Sequence, residues 1–578
     1  MSESGRGLSL FTDGAKSRRR IETVPALNRT GLLWPLFFFL ITVITRIPFT
    51  SRLLYHADSV HFALALEKYD ITLHQPHPPG YFLYVMLGRL LNLFIEDANA
   101  VFVVISVIFS GLAVVAIYFL GREIYDNKIG VLAAAIAITS PNFWFHGEVA
   151  LSYIVEAFFS TVAAFFCWKI FRGEHKYIWL SAIALGMAGG IRQNTLVFLL
   201  PLWLFSVKKV PIAKALLSFG LLGFVCLLWF VPMIIMTGGW DAYRNAFREL
   251  WLFHTGRFSV FERGWEAIRS FSSLLFTFTF YGLGSGIFVL GLSAYSLVRN
   301  GKLKLLDKDK TLFFSFWLLP PVLFYLLIFI HPSNPGYVLV FLPALFVIAA
   351  VSTKHISDEL TTQATNFRNL SFPQSVGGNP DKKGTMDARL RTPGMTPFDC
   401  RVTMTMGNRL LKMIASAFIL CNTAIFLLSG IPVSLREITN HDRDLSEMLD
   451  AIKRFDPLRA VVFVRPYSFF SFRHIMYYLP EYKVYQVDVR RAPTGETRKT
   501  FWGTGEETFL ADEVVIPDNI DTFVVPLISE ERASVRGIED IRTTGLNTFN
   551  HLSISSGDIA LIRKVYPELN VRLPGAIS

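Results

Sequence analysis

Residues Ala100–Leu120, AVFVVISVIFSGLAVVAIYFL, run without a single charged side chain, and Ile212–Met236, IAKALLSFGLLGFVCLLWFVPMIIM, form a second run with Lys214 alone near its start. A helix rises 1.5 Å per residue, so about 20 apolar residues cross the hydrocarbon core of a bilayer and both runs predict membrane-spanning helices. Outward from these, apolar runs recur at Leu32–Ile44, Ile129–Phe143, Val149–Phe166, Leu274–Leu297, Leu312–Ile330, Val338–Val351 and Leu410–Leu428. Tyr177–Val207 is interrupted by Gly189-Gly190-Ile191-Arg192-Gln193-Asn194 and divides into two short spans, with Arg192 at the bend where it avoids the cost of mid-bilayer charge. The expected total is about eleven crossings. Tyr81–Phe94 is short for a span and preceded by Pro78 and Pro79, so it reads as a surface-lying helix.

The 578-residue composition agrees. The chain is 52% hydrophobic and 17% charged, against roughly 25% charged in a soluble domain, which excludes an ordinary soluble enzyme. Its net charge of +11 suits nucleic acid only if the bases form one solvated patch, and here they are scattered between apolar runs. Their sidedness is informative instead. Arg18, Arg19 and Arg20, the turn with Arg122 and Lys128, the group Lys169, Arg172 and Lys176, and the pair Lys208 and Lys209 all fall on one face when the N-terminus is cytoplasmic. The four cysteines, Cys167, Cys226, Cys400 and Cys421, contain no CxxC pair and indicate neither a disulfide framework nor a zinc knuckle.

The predicted organisation is a cytoplasmic basic tail (1–30), a transmembrane catalytic domain (31–351), a disordered cytoplasmic linker (352–408), a last transmembrane helix (409–430) and a small exterior α/β domain (431–578). In the last, Leu445–Phe455 and Phe469–Tyr478 read as helices, and Ala460–Val464, Val484–Val489, Thr522–Leu527 and Ile559–Val565 as strands.

The polar groups that are expensive near a bilayer converge on the opposite, exterior face: Asp58, the His74–Pro79 segment, Glu148, Arg192 and the loop His331-Pro332-Ser333-Asn334-Pro335-Gly336-Tyr337. A carboxylate, histidines and an arginine in one cavity suit a reaction of a lipid-linked phosphate, since Arg neutralises phosphate and a carboxylate accepts a proton. Each residue has a plainer reading beside this one. Asp58 is placed to cap the helix that follows it. Glu148 is placed to complement a helix dipole, and Arg192 to reach lipid headgroups. His74 reads as a surface histidine of a proline-rich turn, His77 as a contact to phosphate, and Tyr337 as a substrate contact or an interface anchor. The arginines from Arg244 to Arg269 fit a solvated face as well as an anion site.

His56-Ala57-Asp58-Ser59 after a first span, the segment His77-Pro78-Pro79-Gly80-Tyr81, a span ending in Leu120-Gly121-Arg122-Glu123-Ile124, and Ser140-Pro141 leading to Glu148 resemble the membrane glycosyltransferases of the GT-C fold. That group includes protein O-mannosyltransferases, lipid A aminoarabinose transferases and the catalytic subunit of oligosaccharyltransferase. The resemblance implies an all-α polytopic enzyme in which Asp58 is the catalytic base and the donor is a polyprenyl-phosphate sugar. Glu148 would be a second acid or share a cation with Asp58, and His77, Arg192 and Tyr337 would bind substrate. The acceptor would be a lipid, glycan or protein. No cofactor is firmly implied: a divalent metal is compatible with the acids, but the second-loop Asp-x-Asp of oligosaccharyltransferases is missing. The resemblance covers Leu32 to about Leu204. The expected reaction is inverting hexosyl or pentosyl transfer on the exterior face of a bacterial inner membrane, with membrane lipids but no nucleic acid as partners. The rival reading is a flippase, transporter or polymerase of lipid-linked envelope glycans; transporters, however, more often place charges within repeated spans.

Overall fold

A computed structural model describes residues 29–299, 305–371, 397–464, 469–491, 497–503, 510–511, 514–515, 522–526, 551–555 and 571–572. The N-terminal part comprises α1 (Arg29–Arg46), α2 (Ala57–Glu67), α3 (Phe82–Asn92), α4 (Ala98–Ile124), α5 (Asn127–Thr139), α6 (Pro141–His146), α7 (Tyr153–Phe171), α8 (Ile178–Ile191) and α9 (Gln193–Val207). There follow α10 (Ile212–Met236), α11 (Trp240–Phe258), α12 (Val260–Arg263), α13 (Trp265–Leu283), α14 (Gly286–Arg299), α15 (Lys308–Leu327), α16 (Leu342–Ser371), α17 (Pro397–Leu428), α18 (Leu435–Ile452) and α19 (Phe472–Tyr478).

Helix starts follow side-chain chemistry. The Asp97 carboxylate accepts from the Ala100 N–H at 2.6 Å to begin α4, and Asp126 accepts from Ile129 at 2.9 Å to begin α5. Between these helices Gly130 lies so close to α4 that a Cβ there would stand 2.6 Å from the Tyr118 carbonyl. Glycine therefore sets the α4–α5 approach.

Among the described residues, five helices are long and apolar enough to cross a membrane: Ala98–Ile124, Tyr153–Phe171, Ile212–Met236, Lys308–Leu327 and Met406–Leu428. The bent pair α13 and α14 passes the same criterion jointly, and shorter apolar helices lie at Leu33–Phe49, Phe82–Asn92, Asn127–Thr139 and Gln193–Val207. The chain is an integral membrane protein of mainly helical fold.

Several continuous apolar runs are broken helices. The predicted Ile129–Phe143 span stops at Ser140, whose hydroxyl accepts from the Phe143 N–H and starts α6 with Pro141 at its first position. The predicted Leu274–Leu297 span bends by 103° at Gly284, φ +54°, where Asn422 of α17 accepts from the Ser285 N–H at 2.8 Å and donates to the Leu283 carbonyl at 3.2 Å. Hydropathy is blind to such breaks, because the freed backbone groups find partners within the protein.

The predicted 352–408 linker is corrected at both ends: α16 runs on to Ser371 and α17 begins at Pro397, while 372–396 lie outside the described residues. The polar composition is absorbed by hydroxyls turned back to the preceding helical turn, as Thr353 to Ala349 (2.8 Å) and Thr361 to Ser357 (2.7 Å), and by a Lys354–Asp358 pair at 2.7 Å. The Ser357 hydroxyl also donates to the Gly407 carbonyl, tying α16 to α17.

After α18 come β1 (Ala460–Val464), β2 (Lys483–Arg491), β3 (Thr497–Gly503), β4 (Leu510–Ala511), β5 (Val514–Val515), β6 (Thr522–Pro526), β7 (His551–Ser555) and β8 (Val571–Arg572). Six strands form one sheet in the order β4-β3-β2-β1-β6-β7, with β1 parallel to both neighbours and the flanking pairs antiparallel, and β5 pairs with β8. β1 is buried along its whole length, as a central parallel strand requires. The predicted strand Ile559–Val565 lies outside the described residues.

This C-terminal part grips the loop ahead of α2. Asp442 of α18 accepts from the Ser51 hydroxyl (2.8 Å), the Arg52 N–H (2.8 Å) and the Leu53 N–H (3.2 Å). The Tyr478 hydroxyl accepts from the Leu54 N–H at 2.9 Å, and His474 Nε2 donates to the Leu54 carbonyl at 3.1 Å. Asp442→Ala leaves the loop donors unpaired and is expected to destabilise the protein by about 1–3 kcal/mol. The check is a lower apparent melting temperature in detergent, with faster proteolytic cutting between Ser51 and His56.

Candidate active site

His56, in extended backbone, is the N-cap of α2, its ring Nδ1 accepting the Asp58 N–H at 3.0 Å. The helix is thus capped by the histidine, and Asp58, in the first turn, turns its carboxylate elsewhere. Asp58 Oδ2 meets His56 Nδ1 at 3.5 Å and the Asn334 amide at 3.4 Å, while Oδ1 meets His77 Nδ1 at 3.7 Å and His61 Nδ1 at 4.0 Å. His61 lies one helical turn from Asp58 on the same face.

His77 is delivered by the turn between α2 and α3. The turn opens with His74 in the left-handed region (φ 57°) and closes with Gly80 (φ +125°) and Tyr81 (φ 46°). Gly80 is required twice over, since a Cβ would also meet Ile71, Met233 and Tyr69 at 2.7–2.9 Å. His77 Nε2 is 2.9 Å from the Tyr81 hydroxyl. On the far side, His331 Nδ1 contacts the Ser333 hydroxyl at 2.6 Å, and that hydroxyl contacts His56 Nε2 at 3.2 Å, a polar chain running towards the α2 N-terminus.

Arg192 occupies the break between α8 and α9 in extended conformation. Its Nε lies 3.0 Å from Glu156 Oε2 and its Nη1 donates to the Ser152 hydroxyl at 3.0 Å, and the guanidinium carbon lies 4.2 Å from the Tyr153 ring centroid and 5.2 Å from that of Tyr81. The Thr195 hydroxyl donates to Glu156 Oε1 at 2.6 Å. Arg192 therefore carries an internal carboxylate partner. Gly190 is a packing position rather than an opening for a headgroup, since a Cβ there would strike Leu83 and Trp229.

These groups line one cavity of about 340 Å³, which includes His56, Asp58, His61, His74, His77, Tyr81, Arg192, His331, Asn334 and Tyr337, with Phe247 and Trp251 of α11 along one wall. His74, read from sequence as a surface residue, belongs to this wall because its left-handed backbone turns it inward. Arg244, Arg248, Arg263 and Arg269 do not line it; Arg244 pairs with Asp241 and Arg263 with Glu266 in exposed positions.

Glu148 is the sequence candidate that the structure does not bring to the cavity. It is fully buried beside Trp144, whose Nε1 donates to Oε1 at 2.5 Å, and Arg46 stacks 4.3 Å over that indole. Glu148 is absent from the cavity lining that contains Asp58, and it lies in the α6–α7 turn. Its backbone carbonyl accepts from Ser51 at 2.9 Å.

Electrostatics fix the charge states. Burial raises the Asp58 carboxyl, but His77, His56, Arg192 and His331 outweigh it and hold the group below its ordinary value. Burial pushes His56 down to about 4 and His74 down to about 3, and lowers His61, His77 and His331 as well. At neutral pH the cavity presents one carboxylate among neutral imidazoles, facing a guanidinium.

With the geometry in place, two comparisons bear on it. Residues 68–212 match the family model described as the protein O-mannosyl-transferase TMEM260 N-terminal domain, a stretch that holds His77, Glu156 and Arg192. Among solved structures, ArnT from Cupriavidus metallidurans bound to undecaprenyl phosphate superposes with a TM-score of 0.51 at 11% identity, covering 91% of this chain and 98% of that one. The fold is GT-C. The apo form of the same ArnT gives a TM-score of 0.50 at 12% identity, with the same coverage of both chains. The oligosaccharyltransferase of Archaeoglobus fulgidus tethered to an acceptor peptide gives 0.41 at 13% identity, over 78% of this chain and 63% of that one. No curated protein matches in sequence.

The GT-C arrangement adds residues that the apolar pattern hides. Glu156 has a visible signal, an acid inside the span Tyr153–Phe171, where charge is retained only with a partner. His61 is signalled by its i+3 spacing from Asp58; the loop holding His331 and Asn334, already marked in the sequence, reaches the site through the Asn334–Asp58 contact. Glu156→Ala strands a buried guanidinium and is expected to cost about 3–5 kcal/mol. Glu156→Gln, which keeps a hydrogen-bonding amide, should cost less, so the checking measurement is the order of apparent melting temperatures, wild type above Gln above Ala.

Proposed function

We propose that the protein transfers a sugar from a polyprenyl-phosphate donor to an acceptor hydroxyl on the exterior membrane face. One observation carries the reading: Asp58 and Arg192, far apart in sequence, line a single cavity. The likeness of fold to a protein solved with undecaprenyl phosphate supports a polyprenyl-phosphate donor. The partial match to a protein O-mannosyl-transferase family supports a hydroxyl acceptor.

The acceptor oxygen attacks the anomeric carbon as the bond from that carbon to the phosphate oxygen breaks, its electron pair leaving with the lipid phosphate. Asp58 receives the hydroxyl proton, and attack opposite the leaving group inverts the anomeric centre. Because Asp58 is a weaker base than a free carboxylate, it orients the hydroxyl first and takes the proton late, as the new bond forms. Arg192 faces the departing phosphate. Glu156 balances its charge from 3.0 Å and Nη1 donates to Ser152, which leaves further N–H groups of the guanidinium for the anion. Such charge pairing is strengthened in a site walled by Phe247, Trp251, Phe324 and Phe329. Tyr337 and His77 line the space where the sugar and phosphate would meet.

The test is transfer by purified protein supplied with polyprenyl-phosphate sugars and peptide, glycan or lipid acceptors. Asp58→Asn is expected to lower turnover about 100- to 10,000-fold with little change in melting temperature. Glu148→Gln, outside the cavity, should keep wild-type turnover per folded molecule. Equal turnover by wild type and Asp58→Asn sinks the mechanism.

A further inference from the structure

Within the cavity, Asp58 Oδ1, His61 Nδ1 and His77 Nδ1 all lie within 4.8 Å of one another. The two imidazole nitrogens face each other at 3.3 Å. Metal–nitrogen bonds of about 2.0–2.1 Å at the tetrahedral angle put neighbouring ligand atoms about 3.3–3.4 Å apart, so the histidine pair already has the bite of a zinc site. The carboxylate oxygen, at 3.7 Å from His77 and 4.0 Å from His61, closes to that spacing by a movement of roughly half an ångström, within reach of a side-chain rotation.

We propose that Asp58, His61 and His77 form a site for one divalent cation of the zinc type, with its fourth position open to the cavity.

Three further features favour it. The ligands stand on stiff supports: Asp58 and His61 one turn apart on α2, and His77 between Pro76 and Pro78. The second nitrogen of His77 is engaged by the Tyr81 hydroxyl, and when Nε2–H donates there, the Nδ1 lone pair points to Asp58 and His61, as outer partners orient metal-bound histidines. Two imidazoles and one carboxylate with an open position are the ligand set of catalytic rather than structural zinc. Opposing the cation are Arg192, facing Asp58, and Arg473, which donates to the Leu73 carbonyl at 2.9 Å and faces His61 and His74. Glu156 offsets the first of these. Asp58 has an oxygen for each task, since Oδ1 faces the histidines and Oδ2 faces His56 and Asn334. A bound cation would offer its open position to an anionic oxygen on the side of the cavity facing Arg192. Binding of the cation stands independently of the glycosyl-transfer reading.

The experiment uses full-length protein in detergent, stripped with a chelator and titrated with Zn²⁺ and Co²⁺. About one zinc per chain is expected by elemental analysis, and a visible cobalt spectrum of four-coordinate type. Tyr81→Phe, which keeps all three ligands, should weaken zinc binding about 10- to 100-fold. The double variant His61→Ala/His77→Ala should lose it, while His331→Ala, on the same cavity, should keep it. Stripped wild type that takes up no zinc and gives no cobalt spectrum overturns the proposal, as does a monodisperse double variant with wild-type zinc content. Failure to take up zinc removes only the cation site, whatever the transfer activity, and protein that binds zinc but transfers no sugar removes only the glycosyltransferase reading.

Discussion

A guanidinium buried in a membrane protein has to be neutralised where it stands, and Arg192 meets that constraint at the break between α8 and α9. Glu156 supplies the opposite charge from α7, Ser152 accepts an N–H, and the rings of Tyr153 and Tyr81 lie close to the guanidinium. Because those partners come from α7 and from the α2–α3 turn, the pair locks three parts of the chain around one point. Arginine suits this position better than lysine, since its planar fork serves a carboxylate, a hydroxyl and two aromatic rings at once. Thr195, at the start of α9, completes the carboxylate and ties the break to the same cluster.

The carboxylate opposite depends on a second constraint, the shape of an irregular loop. Residues 51–56 contain no helix or strand, so their backbone groups are satisfied by Asp442, Tyr478 and His474 from the C-terminal part and by the Glu148 carbonyl. That explains how a domain remote in sequence contributes to a membrane site: it holds the loop that presents Asp58 and, through Arg473 on the Leu73 carbonyl, the edge of the turn that presents His77. Glu148 belongs to this scaffold too. It is buried against Trp144 beside Arg46 and is absent from the cavity lining.

Much of the fold is legible in the residues. Ala100–Leu120 and Ile212–Met236 have the length a bilayer demands, and α10 coincides with the second of them. Arg192 in an apolar stretch had to mark a break, and it does. β1 coincides with the apolar run Ala460–Val464. What hydropathy missed were the bends at Ser140 and Gly284, where local capping and a distant Asn422 replace helical hydrogen bonds, and the helical ends of the stretch 352–408, where hydroxyls bond back within the helix. The site was legible in part: Asp58, His77, Arg192 and Tyr337 share the cavity, but Glu148 carried the same chemical signature without the placement.

The sequence by itself determined the solvent, because run length and the scarcity of charge are local properties that a bilayer reads directly. It also marked Asp58 and Arg192 as polar groups needing a reason. Only the tertiary structure decided which charges meet. Pairing of Arg192 with Glu156, the approach of Asn334 to Asp58, the inward turn of His74 and the facing nitrogens of His61 and His77 depend on contacts and backbone angles that no spacing encodes. Charges in a low-dielectric interior interact over distances set by packing, and packing is a property of the whole chain.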